Sequence, residues 1–232
     1  VQFEEVEDSS KFLDDCINAD FVVDGTTSKI STRNPSPPFI TSTLQQEASN
    51  KFKMPPKTTM MHAQKLYEAG YITYMRTDSV VLSEEAQEMI KDTIIEKYGE
   101  DYYKLREYKN KSKNSQEAHE AIRPCDFTTS FLDDDDLDPR ACKLYNLIYK
   151  RTIASQMESA KVEIITTKIN ISARDEQFIS KGERIKFDGF LKVYKSVEEI
   201  DSEEDDSSDE NKIKNEIVKF KKGTKLERVK IS

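Results

Sequence analysis

The hydrophobic residues of this chain are spaced in two ways, and the change of spacing divides the sequence into three zones. In the middle zone apolar residues recur every three or four positions, as on one face of an α-helix. Both outer zones contain short runs of alternating apolar and polar residues, the spacing of a β-strand. The middle zone predicts four helices, which begin at the capping box of Thr43 and Gln46, near Thr58 or Thr59, after Ser83, and at Asp138 and Pro139.

The outer zones predict a small β structure. The first zone ends near residue 34 and predicts a short helix after the capping candidates Ser9 and Ser10, then a hairpin with its turn at Asp24 and Gly25. In the third zone the alternation changes phase, which predicts a bulge near Thr167 or a bend. Further strands are predicted there, at residues 187–194, 217–220 and 226–229.

Strand-like zones on both sides of a helical one predict an α+β fold in which a helical domain interrupts a β domain. The sequence assigns residues 1–34 and 160–232 to the β domain and residues 35–159 to the helical domain. Prolines at positions 35, 37 and 38 mark the first boundary. Short helices joined by tight turns permit a helix-turn-helix arrangement in the middle.

Composition excludes some classes of protein. No run of apolar residues approaches the roughly 18 that a membrane helix needs, and the acidic start does not predict a signal peptide. Cys16, Cys125 and Cys142 lack a CxxC spacing, which predicts reduced thiols in an intracellular protein rather than a disulfide framework or a zinc site. Because the chain starts without methionine and in the middle of a pattern, we expect a piece of a longer protein.

Residues 72–79 combine a phenol, a guanidinium, a carboxylate and three hydroxyl groups. A phenol oxygen can attack a phosphodiester to give a covalent phosphotyrosine, while a guanidinium two residues away forks onto the non-bridging oxygens. Tyr74 and Arg76 therefore indicate phosphoryl transfer. The alternative is that Tyr74 is one of ten tyrosines that serve packing.

Three strings in this order resemble the type IA DNA topoisomerases, specifically their bacterial topoisomerase I branch. In that family the nucleophilic tyrosine lies in a glycine-hydrophobic-isoleucine-threonine-tyrosine-methionine-arginine-threonine-aspartate-serine run, matched by residues 70–79. The family's histidine context is matched by residues 117–124, and residues 33–48 also look like the family. The topoisomerase III branch usually has proline at the position of Met75 and glutamate at that of Asp78.

The resemblance implies roles for individual residues. Tyr74 would be the nucleophile and Arg76 would stabilise the charge of the transition state. His119 would hold or protonate the scissile region and pair with Asp78, which would fix its ring orientation. Further roles are implied in support, for Thr77 and Asp78, and in DNA binding, for Arg76, Ser79 and Arg123.

The sequence predicts no metal site in this chain. The acidic run at residues 133–136 is interpreted as a solvated loop before Asp138, because the family binds Mg²⁺ through an Asp-x-Asp-x-Glu pattern on a separate domain. That domain would also supply a catalytic glutamate and a lysine, so we expect these residues alone to lack relaxation activity. His62 has no motif around it and is predicted to be a solvated surface residue.

The net charge of −8 arises in one segment. Residues 198–210 carry nine acidic residues and no basic one, and without them the chain has 36 basic residues against 35 acidic ones. The run predicts a disordered loop, either simply solvated or phosphorylated and competing with DNA for a basic surface. The basic residues in 212–230 either face a nucleic-acid backbone or are solvated.

The implied activity is that of an ATP-independent isomerase that changes DNA linking number and relaxes negative supercoils. Tyr74 would cleave a single-stranded segment, leaving a 5′-phosphotyrosine and a free 3′-hydroxyl that reseals the strand after another strand has passed. The β zones would form the family's arch-like domain, which leads into and out of the tyrosine domain. We expect an intracellular location with DNA. The alternative is a non-catalytic module that binds single-stranded DNA or another partner.

Overall fold

The computed structural model contains helices and one antiparallel sheet, which confirms the predicted α+β class. It describes four stretches of the chain, residues 5–110, 119–132, 137–194 and 220–227. By their internal contacts the residues separate into two compact units, the first drawn from 1–32, 161–187 and 210–232, the second from 33–160 and 188–209. The identification of these units as a β arch and a tyrosine domain stays a prediction.

Nine helices and strands, together with two short 3-10 helices, make up the described part of the chain. In order they are α1 Val6–Ile17, β1 Phe21–Arg33, α2 Thr41–Phe52, α3 Pro56–Glu68, α4 Glu84–Tyr98, the 3-10 helix Glu100–Tyr102, α5 Pro139–Ser155, β2 Ala160–Ile171, β3 Gln177–Phe187, the 3-10 helix Gly189–Lys192 and β4 Lys225–Leu226. None of the helices in these stretches has the length and apolar character that crossing a lipid bilayer requires.

The first unit is built on a four-stranded sheet with the strand order β3-β2-β1-β4. The hairpin predicted at Asp24 and Gly25 is wrong, because β1 continues through both residues. β1 has a neighbouring strand on each side, and these partners satisfy its backbone groups along the sheet. Gly25 does not adopt the positive φ that a tight hairpin turn favours.

Two further predictions for the third zone fail, and one strand was not predicted. The register irregularity of β2 lies between Lys161 and Val162 rather than near Thr167. β3 was not predicted, since its side chains are almost all exposed and its stability comes from the ladder with β2. Residues 187–194 are not a strand: β3 ends at Phe187, and a 3-10 helix follows. The segments 198–210, 217–219 and 228–229 lie outside the described residues.

Gly189 explains the break after β3. Its φ is 51°, and a Cβ placed there would lie 2.4 Å from the Glu158 carbonyl oxygen. Only glycine fits so close to another backbone in this conformation. The neighbouring Phe190 N–H donates to the same Glu158 oxygen at 3.0 Å, which holds the segment against the second unit's core.

The second unit packs α2, α3, α4 and α5 around one hydrophobic core. Ser83 caps α4 by accepting a hydrogen bond from the Ala86 N–H, and Asp138 caps α5 by accepting from Arg140, both as predicted. Three other helices begin earlier than predicted: α1 at Val6, α2 at Thr41 and α3 at Pro56.

Candidate active site

The segment that carries Tyr74 leaves α3 through a sharp turn. Gly70 has a φ of 77°, the left-handed conformation that ends many helices. The Gly70 N–H donates to the Tyr67 carbonyl and the Tyr71 N–H to the Leu66 carbonyl, each at 2.9 Å. The chain therefore changes direction within three residues and continues into Tyr74 in a fixed orientation.

Exposed and buried side chains alternate along this segment. Met75 is buried, as are Thr77 and Ser79, whereas Tyr74, Arg76 and Asp78 are exposed. The phenol, the guanidinium and the carboxylate are therefore all accessible to solvent.

Backbone hydrogen bonds join this segment to the string that contains His119. Thr73 and Arg123 exchange two bonds: the Thr73 N–H donates to the Arg123 carbonyl at 2.9 Å, and the Arg123 N–H donates to Thr73 Oγ1 at 3.0 Å. Ile72 and Pro124 form an antiparallel bridge beside them. This pairing brings the His119 ring next to Tyr74, with 6.4 Å between the ring centroids.

The third string closes the site from the other side. Thr41, the first residue of α2, donates its hydroxyl to the Met75 carbonyl at 2.9 Å and accepts the Thr77 N–H at 3.0 Å. Phe39 and Ile122 form a second antiparallel bridge. The structure thus brings all three strings together in one place.

An open cavity of about 550 Å³ lies where the strings meet. It is lined by the start of α2, by the Arg76 region and by His119; the residues are Ile40, Thr41, Ser42, Gln45, Arg76, Thr77, Asp78 and His119. The Arg76 guanidinium and the amino-terminal end of α2 both favour an anion here. A phosphate group matches this lining better than a neutral or cationic ligand.

The Tyr74 side chain is 42% exposed, and its ring packs against the ring of Tyr67. The two rings meet edge to face, with 5.3 Å between their centroids. No described residue forms a hydrogen bond with the Tyr74 hydroxyl. Tyr67 was not predicted to belong to the site. It lies in the last turn of α3, just before the Gly70 turn, and this position could have indicated a contact with Tyr74.

The implied contact between Asp78 and His119 is not formed. Both side chains line the cavity, but within the described residues no hydrogen bond or ion pair connects them. No role was predicted for Thr41 or Ser42, although both lie in residues 33–48, which also resemble the family.

Two residues predicted to bind DNA are buried. The Ser79 hydroxyl accepts the Val81 N–H at 3.2 Å, and Arg123 pairs with Glu120 at 2.7 Å. Both side chains therefore support the backbone of the site, and their contact with DNA stays a prediction.

Glu120 links the site to α4. It accepts the Ser83 N–H at 2.7 Å while it pairs with Arg123. Burial acts to raise the pKa of the Glu120 carboxyl, but the hydrogen bonds from Ser83 and Arg123 and the charge of Arg123 outweigh it and hold that pKa below its ordinary value. The carboxylate is therefore favoured in its charged form.

His62 is 1% exposed, so the prediction of a solvated surface residue is wrong, and neither ring nitrogen has a hydrogen-bond partner among the described residues. Burial lowers the pKa of its imidazole and favours the neutral ring. Residues 133–136 lie outside the described stretches. In the described stretches, no group of three or more potential ligands could hold a metal ion.

Comparison with known proteins agrees with the geometry. A family model described as DNA topoisomerase matches residues 1–232. The prokaryotic-type DNA topoisomerase 1 of Acanthamoeba polyphaga mimivirus is 49% identical over 203 residues, which cover 84% of this chain and 24% of the relative. DNA topoisomerase 1 of Streptomyces coelicolor is 48% identical over 182 residues, covering 76% of this chain and 19% of the relative.

A solved structure is also similar. Full-length topoisomerase I from Thermotoga maritima matches with a TM-score of 0.70 and 33% identity, over 84% of this chain and 32% of the other. The chain thus spans about a fifth to a quarter of the length of these curated relatives. The match of the family model over all 232 residues, together with these identities, shows that the chain belongs to the type IA DNA topoisomerases.

Proposed function

We propose that this chain works within a longer topoisomerase, in which Tyr74 cleaves one DNA strand and holds it covalently. The observation that carries the proposal is the exposure of Tyr74 two residues before Arg76, which lines a cavity suited to a phosphate group. His119, which the sequence places far from both, lies beside the Tyr74 ring.

Each residue has a part in the proposed reaction. The Tyr74 oxygen attacks the phosphorus of a phosphodiester, the bond from phosphorus to the 3′-oxygen breaks, and the strand ends become a 5′-phosphotyrosine and a 3′-hydroxyl. The phenol proton is lost and the leaving oxygen gains one, and His119 is the nearby group suited to protonation. Arg76 stabilises the charge that develops on the non-bridging oxygens. Attack by the 3′-hydroxyl reverses these steps, so no ATP is needed.

The other side chains of the site have positioning roles. Thr77 is buried and fixes the bend after Arg76, since its hydroxyl accepts the Ser79 N–H at 3.0 Å. Asp78 is exposed, as Tyr74 and Arg76 are, and we propose that it orients the His119 ring once DNA is bound. Contact of Ser79 and Arg123 with DNA stays a prediction.

The described residues of this chain hold no cluster of metal ligands. Asp78 is the one carboxylate in the cavity lining, and no group of three or more His, Cys, Asp or Glu side chains in these stretches could hold a metal ion. We propose that another part of the protein supplies the metal ligands, and we derive no step through the ion. The substrate is a single-stranded segment of negatively supercoiled DNA, in an intracellular, DNA-associated setting.

A trapping experiment tests this function. The full-length protein is incubated with a 5′- or 3′-labelled single-stranded oligonucleotide and Mg²⁺ and is then denatured. We expect a covalent adduct on the peptide that contains Tyr74, carrying the label of the strand 3′ to the cut. Tyr74→Phe should abolish the adduct and retain the fold, and Tyr103→Phe is a control remote from the cavity.

Two outcomes would contradict the proposal. An adduct at normal yield in Tyr74→Phe would move the nucleophile elsewhere. No adduct in the unchanged protein, with binding of single strands retained, would favour the non-catalytic module. The 232 residues alone are expected to give no Mg²⁺-dependent relaxation, because the resemblance to the family places the metal-binding carboxylates on a separate domain.

A further inference from the structure

A second group of basic side chains lies in the helical unit, away from Tyr74. Arg140, Lys143 and Lys150 follow one another on α5 at spacings of three and seven, which place them on one side of the helix. Lys51 and Lys53 lie at the end of α2. These residues line two adjoining cavities of about 460 and 370 Å³, which share Lys51 and Phe52.

We call these two cavities the basic groove. Its described lining contains six cationic residues and no carboxylate; the cations are Lys51, Lys53, Arg140, Lys143, Lys150 and Lys192. Close cations repel one another, so the arrangement costs free energy unless an anion lies between them. The near balance of charge outside residues 198–210 makes this concentration a local property of the groove.

Most of these cations are available to a ligand. Lys51 is held at the groove wall, because it pairs with Glu47 at 3.7 Å and lies 4.5 Å from the centre of the Tyr194 ring. Burial lowers the pKa of Lys51 despite that pairing. Four others are exposed and form no ion pair with a described carboxylate: Lys53, Arg140, Lys143 and Lys150.

Phe52 adds an aromatic surface between the cations. It is 36% exposed, lies between Lys51 and Lys53 in the sequence and lines both cavities. An exposed ring inside a basic groove is the combination that binds single-stranded nucleic acid, since the cations contact phosphates and the ring stacks on a base. A duplex would keep its bases stacked and leave the ring unused.

The basic groove is separate from the cavity that Arg76 and His119 line, but one helix connects the two. Thr41 and Ser42 line that cavity at the start of α2, and Lys51 and Phe52 line the groove at the end of α2. Ten residues of helix separate Thr41 from Lys51 by about 15 Å.

We propose that the basic groove binds a single DNA strand at the end of α2 opposite the Arg76 cavity, with Phe52 stacked on a base and the α5 cations on the backbone. The proposal rests on the proposed function only in taking DNA as the ligand. The proposed binding site consists of the end of α2 and the exposed side of α5. It lies outside the three sequence strings that resemble the family.

Binding of a fluorescent oligothymidine to the 232-residue chain, followed by anisotropy over a series of salt concentrations, tests the proposal. Arg140→Glu/Lys143→Glu should weaken binding about 10-fold or more at low salt and reduce the salt slope by about 1.4, the value for two lost phosphate contacts on a single strand. Lys29→Glu/Lys91→Glu makes the same change of charge at exposed positions outside the groove and should weaken binding at most about twofold.

Phe52→Ala separates stacking from charge. It should weaken binding by about 10-fold while the salt slope stays the same, because a base contact is lost and no phosphate contact is. Thermal unfolding of each variant shows whether the fold is retained. Equal binding by the groove variant and its control, or no binding by the unchanged chain at low salt, would overturn the proposal.

Tyr74→Phe distinguishes this proposal from the proposed function. It should leave oligothymidine binding within about twofold, since the groove lies at the other end of α2. Loss of the covalent adduct with groove binding intact is the result expected if both proposals hold. An adduct that persists in Tyr74→Phe, while the groove variants lose binding, would overturn the proposed function alone. Groove variants that bind as well as their control, while Tyr74→Phe loses the adduct, would overturn the basic groove alone.

Discussion

Thr41 and Thr77 are joined by reciprocal hydrogen bonds: the Thr41 N–H donates to the Thr77 carbonyl at 3.0 Å, and the Thr77 N–H donates to Thr41 Oγ1 at 3.0 Å. The pair connects the first residue of α2 with the residue after Arg76. It therefore sets where the Arg76 guanidinium lies relative to the amino-terminal end of a helix.

Removing the Thr41 hydroxyl should disturb that position. Thr41→Val keeps the shape of the side chain but leaves the Thr77 N–H and the Met75 carbonyl without their partner. We expect a loss of about 1–3 kcal/mol in the free energy of unfolding and a fall in DNA cleavage of about 10-fold. Thr58→Val on the first turn of α3 is the control. Unchanged cleavage in Thr41→Val would show that the reciprocal bonds do not position Arg76.

Arg76 should be sensitive to geometry and not only to charge. Arg76→Lys retains a cation but loses the planar fork that contacts two phosphate oxygens, so cleavage should fall about 10-fold or more. Because Arg76 is exposed, thermal stability should hardly change. Single-turnover cleavage of a labelled oligonucleotide measures the effect, with Arg184→Lys on exposed β3 as control. Equal rates in the two variants would remove Arg76 from the site.

Glu120 makes stability depend on pH on the acid side. Its pKa is lowered in the folded protein, so its contribution is present above the ordinary value of 4.5 and is lost as the pH falls through the folded value. Glu120→Gln should lower the free energy of unfolding at pH 7 by about 1–3 kcal/mol, since Arg123 loses its charged partner. The difference from the unchanged protein should shrink below pH 4.5.

Denaturant unfolding at several pH values measures this dependence. Glu96→Gln, an exposed change on α4, controls for the loss of a single negative charge. A difference between Glu120→Gln and the unchanged protein that stays constant from pH 7 to pH 4 would contradict the linkage.

Gly189 should tolerate no side chain. Gly189→Ala combines a left-handed φ with a clash against the Glu158 carbonyl, so we expect a loss of about 2–4 kcal/mol. Gly25→Ala is a matched control, because no atom lies within 4 Å of its added Cβ and its φ is not positive. It should be neutral within about 1 kcal/mol. Similar melting temperatures for the two variants would contradict the close approach at Gly189.

Features that depend only on neighbouring residues could be predicted from the sequence. The caps at Ser83 and Asp138 and the turn at Gly70 were predictable because a cap or a glycine acts within one helical turn. The α+β class followed from the change of apolar spacing. Tyr74 and Arg76 were identified because residue types with a chemical use lie two positions apart.

Features that depend on residues distant in the sequence could be seen only in the tertiary structure. β1 runs through its turn signal and β3 forms on an exposed edge because neighbouring strands supply hydrogen bonds. Arg123 and Ser79 are buried because the strings that carry them pack against each other, and His62 because α3 faces the core. Local sequence fixes backbone preference over a few residues, whereas burial and pairing are set by segments that folding brings together.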